Sequence, residues 1–398
     1  MPSKVKKKPA AKERDWLREF EIDSERGFLP TKDPLRSLPA AYRIWEETAA
    51  ELPKLLVSYQ VKQHVSRFKE ISIGGLKSKA QLERAMMLLS FIGHAYVWGE
   101  SPPASSFPAG LAVPWHAISK KLGRPPVLSY ASYALHNWKR IDPAGPIALG
   151  NIALLQNFLA GVDEEWFILI HVDIEAKAAR AINLLIPLRS AVASENWSAA
   201  LEQLTAIAET IESMHATLAR MPENCDPYIY YHRVRPYIFG WKNQPTLPDG
   251  MTYEGVKEYG GTPQMFRGET GSQSSIIPAL DAALGVGHRD DPLKAYLQEM
   301  REYMPPTHNR FIAHLEQGPN VREVLLEKAR SEPTLLEAYN RCVTGVERFR
   351  SLHLQYAITY IQSQKQVNAA NPNEIGTGGT PFVPYLRKHR DETGKHRI

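Results

Sequence analysis

Apolar residues recur three and four positions apart along most of the chain, whereas runs that alternate apolar and polar residues are scarce. Because an α-helix completes a turn every 3.6 residues, this spacing predicts a predominantly helical fold of the all-α class. Short segments rich in Pro and Gly separate the predicted helices. The predicted helices are 39–69, 79–98, 127–138, 148–160, 164–193, 197–220, 273–284, 291–303, 306–317, 320–330 and 333–364.

Two long irregular segments interrupt this pattern. Residues 240–272 and 368–381 are polar and rich in Gly and Pro. Long loops in a compact domain are often lids or binding loops, so we expect both segments to take part in binding.

Composition limits the class of protein. The chain has 398 residues, 43% of them hydrophobic, which excludes disorder throughout. Two cysteines, Cys225 and Cys342, are too few for a disulfide scaffold or a four-thiolate metal site and favour a reducing compartment. No segment approaches the roughly 18 consecutive apolar residues of a membrane span, and no signal peptide is recognisable. We therefore expect a cytoplasmic protein without membrane association.

The formal net charge of +5 is concentrated at the N-terminus, in MPSKVKKKPAAKER. We interpret this run as part of a solvated, flexible tail over residues 1–30. The alternative is a nucleic-acid-binding or targeting segment. No basic stripe with interleaved aromatic residues continues into the body of the chain, so we expect no nucleic-acid partner.

The last long predicted helix contains a histidine among aromatic residues, in VTGVERFRSLHLQYAITYI. His353 stands three and four residues from Phe349, Arg350, Tyr356 and Ala357 and shares a helix face with them. The default interpretation is a hydrogen-bonded core histidine. The alternative is an axial haem ligand, because a haem needs one imidazole on a rigid helix, apolar packing and a guanidinium for a propionate.

Two further histidines have weaker patterns. His171 and Glu175 lie one turn apart on a predicted helix, a spacing that suits joint metal ligation or an ordinary side-chain contact. Glu212 and His215 form an ExxH pair, but a di-iron site needs a second such pair, and none occurs.

The segment YIYYHRVRPYIFGW surrounds Arg233 and Arg235 with aromatic residues. It is either a buried helix with paired arginines or a site where one arginine binds a substrate carboxylate. The glycine-bearing segments 266–275 and 376–381 follow no predicted strand and lack the lysine of a phosphate-binding loop, which argues against nucleotide binding.

Several of these motifs occur in an order that resembles the indoleamine 2,3-dioxygenase family, in particular its microbial-type members. The resemblance runs from about residue 38 to residue 388. Its motifs, in chain order, are RPYIFGW, YEG at 253–255, GETGSQSS, REYMPPTHNRF, SLHLQYAITYI and GTGGTP. The succession of SLHLQ and GTGGT is its most specific part.

The resemblance implies a haem b cofactor with His353 as the proximal iron ligand. It places Arg350 on the propionate side of the haem with Asp281 as its partner, and Gly271 and Ser272 in the wall over the haem. It also implies a smaller N-terminal helical domain, residues 31–155, that caps a larger haem-binding domain, residues 156–398.

The resemblance further implies a substrate site. Arg235 matches the arginine that binds the substrate carboxylate, and Thr377 matches a residue of a mobile loop that closes over the substrate. Tyr130 and Phe167 match pocket walls. Tyr230 and Tyr231 stand where better-known members have two phenylalanines facing the indole.

At His171 the chain departs from mammalian members, which carry serine. A histidine here resembles microbial members and could hydrogen-bond either bound oxygen or the indole N–H.

The activity implied is O2 insertion across the indole C2–C3 bond of tryptophan to give N-formylkynurenine, a reaction of the kynurenine pathway. Its partners would be L-tryptophan or a related indole, O2 and an electron donor that keeps the iron ferrous, and we expect a monomer. Two alternatives stay open. One is a haem enzyme of the same fold acting on another indole in secondary metabolism, and the other is a haem-binding module with little turnover.

Overall fold

The computed structural model describes residues 15–288 and 291–398, which form sixteen α-helices and two small two-stranded sheets. The helices are α1 (Asp15–Glu19), α2 (Arg43–Ala50), α3 (Leu52–Val57), α4 (Val61–Val65), α5 (Lys79–Trp98), α6 (Ala109–Leu122), α7 (Val162–Ile182), α8 (Leu185–Ala193), α9 (Trp197–Leu218), α10 (Pro227–Ile229), α11 (Ile276–Leu284), α12 (Pro292–Met300), α13 (Pro306–Glu316), α14 (Val321–Lys328), α15 (Pro333–Ala357) and α16 (Phe382–Gly394). The all-α prediction is confirmed.

The strands are short and connect distant loops. They are β1 (Ser106–Phe107), β2 (Trp138–Arg140), β3 (Ile152–Leu154) and β4 (Thr252–Tyr253). Strand β1 pairs in parallel with β4, and β2 pairs antiparallel with β3.

Helix α5 shows how local sequence sets an element. The Ser78 hydroxyl accepts a hydrogen bond from the Gln81 backbone N–H at 3.2 Å, and the Gln81 side chain accepts one from the Ser78 N–H at 3.3 Å. This capping box satisfies N–H groups that the first helical turn leaves unpaired. The helix is buried on most of its circumference, so it lies inside the core rather than on its surface.

The buried apolar residues form two clusters. The first draws on residues 29–172 and 238–303 and is rich in Trp, including Trp45, Trp115 and Trp241. The second draws on residues 17–28, 170–234 and 276–360, with α9 and α15 packed against each other. The chain therefore passes between the clusters more than once. The division into domains 31–155 and 156–398 stays a prediction.

Part of the predicted tail is ordered structure. Residues 15–30 include α1, and Leu17, Phe20 and Phe28 are buried in the second cluster. The apolar residues at these positions outweigh the charged ones between them, so the predicted tail does not extend to residue 30. Residues 1–14, which carry the lysine run, lie outside the described residues.

The predicted helix 148–160 is wrong, because this segment contains β3 followed by a loop. Side-chain oxygens, rather than the carbonyl groups of a helix, accept hydrogen bonds from its backbone N–H groups. The Glu164 carboxylate accepts from the N–H groups of Phe158 at 2.6 Å and Leu159 at 3.1 Å, and Asn137 Oδ1 accepts from the Gln156 N–H at 2.8 Å. Competing polar side chains of this kind are invisible to apolar periodicity.

The predicted helix 164–193 is divided between α7 and α8. Pro187 has no N–H to donate to the carbonyl four residues earlier, so the helix breaks near Asn183. None of the helices in the described ranges is both long and apolar enough to cross a membrane.

Candidate active site

A two-part cavity lies among α7, α9, α11 and α15. We call its larger part the outer chamber, about 450 Å³, which is lined by Tyr130, Ile174, Met214, Ile277, Phe349 and Arg350 among others. We call its smaller part the inner chamber, about 170 Å³, which is lined by Phe167, Tyr230, Glu269, Tyr356, Thr377 and Gly378 among others. His171, Gly271, Ser272 and His353 border both chambers, so the two adjoin each other.

His353 lies on α15, just before this helix widens into a π-helical turn at Ile358–Gln362. Its accessible surface faces the cavity, and no residue in the described ranges forms a hydrogen bond with its imidazole. Burial within the protein, helped by repulsion from His171 and Arg350, lowers the pKa of His353 to about 4. The imidazole is therefore neutral at pH 7, which is the form that binds metals.

His171 lies on α7, and its ring Nδ1 is 2.7 Å from the carbonyl oxygen of Phe167. A carbonyl only accepts, so we assign the proton to Nδ1. Burial lowers the pKa of His171, which keeps the ring neutral. Its Nε2 is then left as a hydrogen-bond acceptor at the cavity.

The donor set fits a haem better than a metal ion held by protein groups alone. The described residues contain no cluster of three or more His, Cys, Asp or Glu side chains placed to hold a metal. A lone imidazole can bind iron when a macrocycle supplies the other ligands. Polar and charged residues are among those lining the outer chamber, but most of its wall surface is apolar, as a porphyrin face requires. His353 would hold the iron, and Arg350 lies at the polar edge of the same chamber.

Arg350 and Asp281 form a buried bidentate ion pair with N–O distances of 2.5 and 3.1 Å, and Arg350 also donates to Thr393. His288 Nε2 lies 3.3 Å from Asp281. Burial opposes ionisation of Asp281, but Arg350 and His288 outweigh it and hold the pKa of this carboxyl far below its usual range. The sequence prediction paired Arg350 with Asp281, and the two side chains do meet. They anchor α15 near His353.

Five of the predicted wall residues border the cavity. Tyr130 lines the outer chamber, Phe167 and Tyr230 line the inner chamber, and the Gly271–Ser272 turn borders both. Tyr231 lies elsewhere: its hydroxyl donates to the Asn371 carbonyl at 2.5 Å, and it borders neither chamber.

Arg235 is fully buried and borders neither chamber. Its guanidinium donates to the Asn371 side chain, to the Pro372 carbonyl at 2.9 Å and to the Ile375 carbonyl at 2.5 Å. The ring of Phe239 lies 4.5 Å from its central carbon. Within the described part of the chain, Arg235 Nε has no hydrogen-bond partner. One edge of the guanidinium therefore keeps an unsatisfied donor while the other holds loop 371–375.

Thr377 belongs to the GTGGTP loop, which borders the inner chamber. Its hydroxyl donates to the backbone carbonyl of Glu269 at 2.5 Å, and its own carbonyl accepts from the Gly240 N–H at 3.4 Å. The loop is thus closed over the inner chamber. Part of segment 368–381 therefore borders the cavity, and its role in binding stays a prediction.

Two buried carboxyl groups beside the cavity did not stand out as such in the sequence. Glu175 does not share a ligand site with His171 but accepts from the hydroxyls of Tyr130 and Ser274, each at 2.9 Å, and burial raises its pKa to about 7. Glu269 is 4% exposed and borders the inner chamber, and burial raises its pKa to about 8. The sequence signal for Glu269 is an acidic residue inside GETGSQSS, a motif that otherwise stands out for its glycines.

Sequence comparison with known proteins is independent of this geometry. The sequence model of the family described as indoleamine 2,3-dioxygenase matches residues 16–396. The chain is 37% identical to indoleamine 2,3-dioxygenase 1 of Rattus norvegicus, with 97% of each chain covered. It is 34% identical to indoleamine 2,3-dioxygenase 2 of Homo sapiens, covering 95% of this chain and 94% of the relative. It is 32% identical to indoleamine 2,3-dioxygenase of Saccharomyces cerevisiae, covering 95% and 92%. The chain belongs to the indoleamine 2,3-dioxygenase family of haem-dependent dioxygenases.

Proposed function

We propose that this dioxygenase acts on L-tryptophan, inserting O2 across the indole C2–C3 bond to give N-formylkynurenine. The observation that carries the proposal is the neutral, unpartnered imidazole of His353 beside a mainly apolar cavity that His171 also borders. When bound at His353, haem supplies the oxygen activation. The chain itself binds and orients the indole and excludes water.

The assigned tautomer of His171 favours one of its two suggested roles. Because Nδ1–H donates to the Phe167 carbonyl, Nε2 can accept a hydrogen bond but cannot donate one. The indole N–H is a hydrogen-bond donor, whereas O2 can only accept a hydrogen bond. His171 therefore accepts the indole N–H and orients the ring, and it is a positioning group more than an essential base.

The inner chamber has the size and walls for an indole side chain. The rings of Phe167 and Tyr230 lie 4.8 Å apart at one side, with Thr377 and Gly378 of the closed loop at another. Tyr130 limits the adjoining outer chamber. Closure of the loop excludes water from the reacting atoms.

Arg235 binds the substrate carboxylate through its unsatisfied edge. The buried Nε without a partner is a strong donor that a carboxylate oxygen would satisfy. The ligand reaches it only if loop 371–375 shifts, since that loop occupies the other donors. An electron donor that keeps the iron ferrous and a monomeric state complete the proposal.

Purified protein with haem, ascorbate, methylene blue and L-tryptophan should accumulate N-formylkynurenine. The absorbance of this product measures its formation. Protein without added substrate and a His353→Ala preparation are the controls. A protein with a full Soret band that forms no oxygenated product from any indole would overturn the proposal and leave a haem-binding module.

A second candidate is a modified indole as the preferred substrate. Tyr230 brings a hydroxyl to the inner chamber, and no described residue forms a hydrogen bond with it. A ring substituent with a donor or acceptor would satisfy this group. Comparison of kcat/KM for tryptophan and for hydroxylated tryptophans tests this, and a preference for the latter that Tyr230→Phe abolishes would replace tryptophan in the proposal.

A further inference from the structure

Glu269 presents an acidic group to the inner chamber without a protein partner. The residue borders this chamber, and in the described ranges no donor forms a hydrogen bond with its carboxyl oxygens. Arg267, the nearest arginine along the chain, instead pairs with Glu299 at 2.7 Å and donates to the Gly378 carbonyl at 2.5 Å.

A buried carboxyl without partners is costly and uncommon in proteins. Burial alone raises the pKa of Glu269 to about 8, so in the absence of a ligand this group is easily protonated. Tyr230 and Glu269 both border the inner chamber, and burial, together with the charge of Glu269, raises the pKa of the Tyr230 hydroxyl. A cationic ligand would remove the cost by supplying both charge and hydrogen-bond donors.

The backbone holds Glu269 in place. Its N–H donates to the Ile238 carbonyl at 3.0 Å, and its carbonyl accepts from Thr377. Just before it, Gly268 lies so close to Gly240 that a Cβ at residue 268 would meet the Gly240 nitrogen at 2.2 Å. The backbone of this segment is therefore fixed, so the Cα of Glu269 keeps its place beside the inner chamber.

We propose that the Glu269 carboxylate binds the α-ammonium group of the substrate in the inner chamber. The inference rests on the proposed function and adds a specificity determinant to it: the preferred indoles carry a primary ammonium group on the side chain. An ammonium offers three N–H donors and one positive charge, which match the unpaired carboxylate. Together with Arg235, the site would then recognise both charged ends of an amino acid.

The test compares ligands that differ in one charged group. L-Tryptophan has the ammonium, and indole-3-propionic acid lacks it but keeps the carboxylate. In Glu269→Gln holoprotein, we expect the Kd of L-tryptophan, measured by the Soret shift, to rise about 10-fold or more, because a charge-assisted hydrogen bond is lost. The Kd of indole-3-propionic acid should stay within about twofold of wild type, since it makes no such bond.

Glu209→Gln is the matched control, because Glu209 is an exposed acid on α9 that pairs with Arg180 on the surface at 3.0 Å. It removes one negative charge far from the chamber and should shift neither ligand. Haem content and far-UV circular dichroism establish that the variants are folded. Glu269→Asp, which keeps the charge, should retain more affinity for L-tryptophan than Glu269→Gln.

Equal weakening of both ligands by Glu269→Gln would overturn the inference, and so would an unchanged Kd for L-tryptophan. The readout is binding, so it is separate from the proposed reaction. A wild-type protein that binds L-tryptophan through Glu269 but forms no product refutes the dioxygenase proposal and supports the ammonium site.

Discussion

Replacement of Arg235 by alanine separates two functions that the structure gives to one guanidinium. The side chain makes three hydrogen bonds to loop 371–375 and keeps Nε unsatisfied. Its loss therefore releases the loop and also removes the proposed carboxylate site. The first effect acts on every substrate, whereas the second acts only on substrates with a carboxylate.

The magnitudes follow from these contacts. Each bond from a charged donor contributes about 1.5 kcal/mol or more, so loss of three should speed hydrogen exchange in loop 371–380 by about 1,000-fold or more. A carboxylate bound to an arginine contributes about 1.5–3 kcal/mol, or roughly 10- to 150-fold in kcat/KM. In Arg235→Ala, we expect L-tryptophan to lose at least this factor beyond the loss for tryptamine, which has no carboxylate.

The assay is steady-state kinetics with both substrates, combined with hydrogen exchange followed by mass spectrometry of the loop peptide. Arg235→Lys is the matched variant, since it keeps the charge but lacks the planar fork and should restore only part of the difference. Equal losses for tryptophan and tryptamine would refute the carboxylate assignment and leave Arg235 as an anchor of the loop. An unchanged exchange rate would refute the anchoring.

Three further results are expected. His353→Ala should lose stoichiometric haem and the Soret band. The control, His215→Ala on α9 outside the cavity, should keep both. Unchanged haem content in His353→Ala would show that His353 is not the proximal iron ligand. His171→Ala should retain measurable turnover, about 3- to 10-fold below wild type, since one neutral hydrogen bond is lost; complete inactivity with haem still bound would contradict this. Burial opposes ionisation of Glu83, but its buried pair with Arg124 outweighs it and lowers the pKa of Glu83 from 4.5 to about 2. The pair thus stabilises the fold above pH 4.5, and this contribution, about 3 kcal/mol, is lost as the pH falls toward 2. Glu83→Gln should flatten the dependence of the unfolding free energy on pH between about 4.5 and 2, as measured by urea titration. A slope equal to that of wild type would disprove this contribution of the Glu83–Arg124 pair.

Apolar periodicity was sufficient where packing alone decides the structure. Helix α5 has the predicted bounds, 79–98, because the capping residues and the apolar sequence agree. Helix α16 was not predicted, since its sequence, FVPYLRKHRDETG, is mostly polar and is held by contacts with α15 that sequence distance hides. Local patterns carry little information about such tertiary contacts.

The site shows the same limit. His353 and the GTGGTP loop were found through ordered motifs, and both border the cavity. The resemblance assigns Tyr230 and Tyr231 to the same wall, yet consecutive residues of a helix point in different directions, and of the two only Tyr230 borders the inner chamber. The partners of Arg235 lie more than 130 residues away, so no local pattern could reveal them.

The bond from the Thr377 hydroxyl to the Glu269 carbonyl bears on how a catalytic cycle ends. N-Formylkynurenine retains the ammonium and carboxylate groups of tryptophan. In the proposed site, Glu269 and Arg235 therefore bind the product as they bind the substrate. Release of the product then requires the Thr377–Glu269 hydrogen bond to break and both charged contacts to be lost. Accumulated product should compete with fresh tryptophan, and escape from the closed chamber rather than bond making becomes the slow stage of the cycle.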